Sequence, residues 1–327
     1  MPDTHHHAQG TGHRLSDAGH RTTLGPMTRI GIVVAHPQPA GIETDTSLDA
    51  VPLVEALTRR GVHAEMTPWR SPDVDWTSFD LLVIRSPWDY ALHPEEFESW
   101  LDLAASSSHV LNEPDLVRWN MDKRYLAQLE DAGVAVIPAT YHRDIGSFVR
   151  TLDEFTSRAA SVVVKPTVGA GSQLVGLFSA TDPAALALGE QILASEGVAM
   201  LQPEVPELSA GHEKALYAVD GHFTHAISKG ALLAQGGGLR GGIYQERPVV
   251  VEATAQEKAF AEQTLSAISQ VTGVPTPLYG RIDTVESAEH GLVLLEAELF
   301  EPLFNLPLVP EVTETFADAI LARLDTP

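Results

Sequence analysis

Two lysines, an Arg-x-Asp pair and a run of glutamates are the residues of this chain whose types and order can do chemistry. Lys123 stands in NMDKRYLAQLEDAGV and Lys165 in SVVVKPTVGAGSQLVGLF; far downstream come Arg281 and Asp283 in YGRID, then Glu296, Glu298 and Glu301 in LLEAELFEP. Cations that hold a nucleotide triphosphate, followed by carboxylates that hold its magnesium, would read in this order. Lys165 ends the β-branched run Ser161 to Val164 and enters the turn Gly169-Ala170-Gly171, where bare backbone N–H groups can approach phosphate oxygens. A lysine that closes an apolar strand is poorly solvated unless an anion meets it. Arg281 and Asp283 are two apart in a strand pattern and share a face, as do Glu296 and Glu298 on the next strand. Carboxylates so grouped raise one another's pKa unless a divalent cation neutralises them, and an all-oxygen donor set suits magnesium. The plainer reading, an exposed acidic edge with solvated lysines, sits badly with Leu294, Leu295, Leu299 and Phe300 in the same run.

Two further cations, Lys229 and Arg240, flank or lie in the glycine loop Gly236 to Gly242; they would stabilise a developing phosphoryl charge, grip a substrate carboxylate, or merely face water. Arg85 opens RSPWDY at the carboxyl end of a strand, where open α/β sheets place ligands, and an arginine there suits bidentate capture of a carboxylate. Its alternative is a packed aromatic corner with a structural Arg–Asp pair. The histidines outside the amino-terminal segment show no metal spacing beyond His222-x-x-His225 on a hairpin strand, where a structural role is expected, and no Ser-His-Asp arrangement stands out. G-x-x-x-x-G-K-[ST] is absent, and AHPQPAG follows the first strand in place of G-x-G-x-x-G. P-loop enzymes and simple dehydrogenases lose ground.

The elements that must position these groups alternate from residue 28 onward. RIGIVVAHP, a helix over Ser47 to Arg60, strands over Val62 to Met66 and Asp80 to Arg85, a helix over Glu95 to Ala105 and a strand over His109 to Leu111 predict a parallel α/β domain at 28–115. A helix over Asp122 to Ala132, new strand structure from Val134 to Ile137, a helix over Ile145 to Ser157, strands at Val162 to Lys165 and Gln173 to Phe178, and a helix at Pro183 to Ser195 predict a small lid subdomain at 116–201. Residues 202–327 read as a mixed or antiparallel sheet, with Asp220-Gly221 joining two strands and a helix over Gln256 to Val271. The overall class is α/β (α+β). Residues 1–27, rich in His, Gly, Ser and Thr, read as a disordered leader without the apolar core of a secretory signal.

Bulk numbers narrow the partners. With 21 Lys+Arg against 44 Asp+Glu, the formal charge of −23 repels phosphate backbones and argues against nucleic acid. The absence of cysteine excludes disulfides, thiolate zinc sites and thiol nucleophiles. No stretch approaches the ~20 apolar residues of a membrane span, so a soluble cytoplasmic protein is expected.

Taken in order, NMDKRYLAQLEDAGV, VVVKPTVGAGSQ, MLQPEVPEL, ALYAVDGHFTHAISK, YGRID and LLEAELFEP resemble the ATP-grasp superfamily of ligases, over residue 28 to the carboxyl terminus. RSPWDY, LVRWNMDKRYL and EAELFEPLF look closest to the glutathione-synthetase-like branch that includes the cycloserine-forming ligase of antibiotic biosynthesis. The resemblance implies an ATP-grasp fold, ATP and Mg²⁺ as cofactors, small amino-acid-like substrates, and a C–N bond formed through a phosphorylated intermediate, with a homodimer common among relatives. It implies that Lys123 and Lys165 contact phosphates, that Gly169 and Gly171 belong to the lid loop, and that Gln202, Glu204 and the Val205 backbone face adenine. Glu207 would take the ribose hydroxyls, Asp283, Glu296 and Glu298 the metal, and Lys229, Arg240 and Arg281 the reacting charge, while Arg85, Glu301 and Asn305 surround the substrate. Many relatives end the metal motif with Glu-x-Asn; here Glu298 replaces the amide, which leaves Glu301 as an alternative partner. A nucleotide-binding sensor without catalysis is the competing function.

Overall fold

The computed structural model describes residues 28–36, 46–158, 160–169, 173–239 and 247–324. The segment expected to be a leader, 1–27, and the expected site residues Gly171 and Arg240 lie outside them. Three sheets organise the rest.

The first sheet is built from β1 (Arg29–Val34), α1 (Ser47–Arg59), β2 (His63–Pro68), β3 (Leu81–Ser86), α2 (Pro94–Ser107) and β4 (His109–Leu111). Its strands are parallel in the order β2-β1-β3-β4. Ile30, Ile32, Leu81 and Val83 bury one face against α1, whereas Val33, Leu82 and Ile84 bury the other against Phe97, Trp100, Trp69 and Trp76. Apolar residues on both faces are what helices on both sides of a parallel sheet require.

After β4, α3 (Pro114–Met121) and α4 (Tyr125–Asp131) precede a second sheet of β5 (Thr140–His142), α5 (Ile145–Ser157), β6 (Ser161–Pro166), β7 (Gly176–Ser179), α6 (Pro183–Ala194) and β8 (Ala199–Pro203). The strands are antiparallel in the order β5-β8-β6-β7. Asp144 and Asp182 cap α5 and α6 by accepting from the Ser147 and Ala184 N–H groups. The third sheet, in the order β11-β10-β9-β12-β13, contains β9 (Lys214–Val219), β10 (His222–Ser228), β11 (Val249–Val251), β12 (Tyr279–Ser287) and β13 (Gly291–Glu298). A short α7 (Pro206–Ser209) leads into it, and α8 (Ala255–Thr272) covers it. Asp220 and Gly221, at φ 50° and 79°, make the hairpin turn between β9 and β10 with both central residues left-handed. A capping box, Thr254 with Glu257, starts α8, and Gly273 at φ 72° ends it.

The expected elements differ from the structure at four points. The helix expected over Asp122 to Ala132 is α4 and starts only at Tyr125, a separate α3 precedes it with Asp122-Lys123-Arg124 as the junction, and both pack with α8 on the third sheet instead of on the second. Residues Ala135 to Ile137 pair with Leu294 of β13, so this run does not open the second sheet. Strand β8 runs through the 201/202 boundary. Last, α9 (Pro310–Leu324), not foreseen at all, carries Val312, Phe316 and Ile320 back onto α1 and β9 of the third sheet. No helix among the described residues is long and apolar enough to cross a membrane.

Candidate active site

Strands β12 and β13 pair with Arg281 opposite Glu298 and Asp283 opposite Glu296, so alternation places all four side chains on one face. Ligand atoms of Asp283, Glu296 and Glu298 lie within 4.8 Å of one another. Asp283 has no solvent exposure, and two cations meet it: Arg281 donates from Nε to Oδ1 at 2.8 Å and from Nη2 to Oδ2 at 2.8 Å, and Lys229 Nζ reaches Oδ2 at 3.1 Å. Arg281 also donates to Glu298 in a very short contact. Lys229, at the end of β10, is held on its other side by Glu213 at 2.9 Å. Burial pushes Glu298 well above the usual carboxylate range; Arg281 opposes the rise, and Asp283, Glu296 and Glu301 add to it. Glu296 goes the other way: burial alone would raise it, but Lys123, Lys165, Lys229 and Arg281 hold it down at about 2. A cluster that keeps one carboxylate firmly ionised while crowding the others can receive a hard cation with oxygen ligands.

The lysines arrive from elsewhere. Backbone N–H of Lys123, at the junction of α3 and α4, donates to Thr167 O at 2.8 Å, which ties that junction to the exit of β6. Lys123 Nζ then donates to Gly169 O at 3.1 Å and lies 3.6 Å from Glu296. Lys165, on β6, is buried at 7% exposure and forms no ion pair within 4 Å among the described residues. Burial pulls it down to about 8, with Lys123 pulling further and Glu296 and Glu213 opposing. A buried ammonium without a contact counter-ion is costly, and an anion at Nζ would relieve it.

Gln202 is buried at the end of β8, its amide donating to Ile137 O at 3.3 Å. Glu204 accepts from Ser209 Oγ, Val205 is the buried residue before α7, and Glu207 accepts from the Ala288 N–H at 3.0 Å while its Oε2 has no partner. These residues follow one another along the segment that joins the second sheet to the third. Glu301 stands apart from the carboxylate trio; it accepts from Tyr90 OH at 3.1 Å.

Arg85 and Asn305 are not presented to a ligand in this conformation. Arg85 is 1% exposed, pairs with Asp49 at 3.3 Å, donates to Pro302 O at 3.0 Å, and is walled in by the rings of Tyr279, Phe304 and Phe316. This is the packed aromatic corner with an Arg–Asp pair. Asn305 is buried at φ 56°, a left-handed turn position that asparagine tolerates. Glu213 and Asp49 went unnoticed in the sequence, and Tyr90 was read only as part of RSPWDY. Only Glu213 carried a signal there, as an acid directly before β9 in register to meet a lysine directly after β10.

Comparisons with known proteins show what the chain is similar to. Residues 30–112 match the family described as the N-terminal domain of the D-cycloserine synthetase DcsG. The cycloserine biosynthesis protein DcsG of Streptomyces lavendulae is 34% identical over 282 residues, covering 84% of this chain and 94% of that protein. The crystal structure of D-cycloserine synthetase DcsG superposes with a TM-score of 0.82 at 31% identity, over 91% of this chain and all of that one. More distantly, the D-alanyl-alanine synthetase A of Vibrio cholerae shares the fold at a TM-score of 0.65 and 14% identity, over 91% of this chain and 97% of that one. The protein is therefore a member of the DcsG family of ATP-grasp ligases.

Proposed function

We propose that this ATP-grasp ligase activates a carboxylate with ATP and Mg²⁺ and closes a C–N bond on it, with a cyclised, cycloserine-like amino-acid derivative as product. The observation that carries the reading is Lys165, a buried cation lacking a contact partner among the described residues, beside Lys123 and a glutamate held ionised. Lys123 and Lys165 would take the nucleotide phosphates, with Gly169 and Gly171 in the loop above them. Gln202, Glu204 and Val205 would line adenine, and Glu207 would offer its idle Oε2 to the ribose. The donor set of Asp283, Glu296 and Glu298 fits magnesium, being all carboxylate with no imidazole or sulfur. When bound, that ion would supply charge neutralisation between the acidic face and the phosphates.

In the first step a substrate carboxylate oxygen bonds to the γ-phosphorus as the β–γ bridging P–O bond breaks, giving an acyl phosphate and ADP. A substrate nitrogen then bonds to the acyl carbon, phosphate leaves, and the nitrogen sheds a proton. Arg281 and Lys229, pre-positioned on Asp283, would stabilise the charge that develops, with Arg240 as a third cation. The second sheet would act as the lid, the first as part of the substrate domain, and the third as the nucleotide and metal platform, in a cytoplasmic enzyme able to form a homodimer. Incubating the protein with ATP, Mg²⁺ and a panel of amino acids and O-substituted serines tests this. ADP, phosphate and a product one water lighter than its precursor are expected with a matching substrate; nucleotide binding without ADP release from any of them would favour a sensor.

A further inference from the structure

We propose that Tyr90 and Glu301 form a subsite for a protonated amino group of the substrate, beside the carboxylate trio. The inference rests on the ligase reading above and deepens it. Glu301 is aimed with unusual care. Its carbonyl accepts from Trp88 Nε1 at 2.8 Å, the next carbonyl, Pro302 O, accepts from Arg85 at 3.0 Å, and Oε1 accepts from Tyr90 OH at 3.1 Å. Tyr90 is clamped in turn by Phe97 and Phe300, with ring centroids 5.4 and 5.0 Å away. Yet Oε2 of Glu301, shut off from solvent, has no hydrogen-bond partner.

An ionised carboxylate only accepts, so the group that completes Glu301 must donate. Nearby charge decides which donor. Glu296 and Glu298 repel an anion from this position, and Lys123, the nearest cation acting on Glu301, is already engaged by Gly169 O and Glu296. A cationic N–H donor meets both requirements; a phosphate or carboxylate meets neither. Tyr90, pushed well above its usual range by burial and by Glu301, keeps its proton and remains a donor. Glu301 itself is pushed up to about 7 by burial, partly offset by Lys123 and Tyr90, which is the state an arriving ammonium would relieve. It stands outside the group of carboxylates close enough to share a metal.

Cycloserine and isoxazolidin-3-one, the same ring without the amino group, are the probes. Their affinities are measured by calorimetry on the ADP–Mg²⁺ complex of the wild type, Glu301→Gln and Tyr90→Phe. Losing one charge-assisted hydrogen bond corresponds to about 10- to 100-fold, so the wild type should prefer cycloserine by at least about tenfold and Glu301→Gln by less than about twofold. Tyr90→Phe should lower the preference about threefold, because a neutral hydrogen bond that only orients the acid is worth less. ADP–Mg²⁺ affinity should be the same in all three proteins. Equal wild-type affinities, no binding of either ring, or an unchanged preference in Glu301→Gln would overturn the subsite, as would a Glu301→Gln protein that loses ADP–Mg²⁺ affinity, since that would place Glu301 on the metal. Failure of the wild type to bind ADP–Mg²⁺ at all would sink the ligase reading first.

Discussion

Arg85 and Arg281 are both buried arginines in strands of central sheets, with 1% and 3% exposure, and each is bonded to an aspartate. Their surroundings differ in kind. Arg85 has one carboxylate, one carbonyl and three aromatic rings, and Asp49 spends its remaining capacity on the N–H groups of Phe304 and Leu306. Arg85 Nη2 stitches α1 and β3 to the segment after β13, while its buried Nε and Nη1 have no hydrogen-bond partner. Arg281 instead touches two carboxylates, and Lys229 competes for one of them within a group that also includes Glu213, Glu296, Lys123 and Lys165. More charge gathers there than packing requires. Burial of a charged side chain therefore does not mark a site; a surplus of mutually pre-positioned charges does.

Substitutions can separate the two arginines. Arg85→Ala should cost about 3–5 kcal/mol of stability, because Asp49 would be left buried and unpaired. Arg281→Ala should lower stability less, since Lys229 still meets Asp283; denaturant unfolding that returned equal losses would erase the contrast. Lys165→Ala sharpens it from the other side. Turnover should fall about 100- to 1000-fold, the usual penalty for removing one preorganised donor, while the unfolding midpoint holds or rises.

Proton linkage gives a smaller, graded effect. Lys165 in the fold sits at about 8, below its unfolded value, so the ligand-free fold carries fewer protons than the unfolded chain between about 8 and the ordinary lysine range, and gains stability as pH rises through that window. Nucleotide binding has the opposite sense because phosphate prefers the protonated amine. ATP affinity should hold below pH 8 and fall by up to about tenfold per unit above it, and titration calorimetry in buffers of different ionisation heat should show proton uptake on that limb. A flat affinity profile from pH 7 to 10 would remove Lys165 from the phosphates. The smallest effect serves as a control: Thr254→Ala breaks the capping box of α8, whose Glu257 pairs with Lys214 and with neither arginine, and should cost about 1 kcal/mol with turnover unchanged.

Much of the layout was legible because local signals agreed with it. The strands over Lys214 to Val219 and His222 to Ser228 were bounded correctly since Asp220-Gly221 admits one turn geometry, and the acidic face of β12 and β13 followed from a spacing of two. What failed was long-range. Nothing near Lys123 states that the α3–α4 junction docks on the β6 exit, and nothing near Val136 states that it pairs with β13 and not with the second sheet. Arg85 shows the same limit: at the end of a strand, nothing local states that it meets an aspartate 36 residues earlier.

The sequence by itself determined which residues share a face, where turns fall and which charges exist, because these follow from backbone periodicity and from the φ preferences of single residues. Tertiary structure alone decided that Glu213 meets Lys229, that Tyr90 meets Glu301, and that one buried arginine pairs with Asp49 among aromatic rings while the other joins the carboxylate cluster. Such choices are made by desolvation and by the distance between side chains far apart in the chain, and neither is a property of any local stretch.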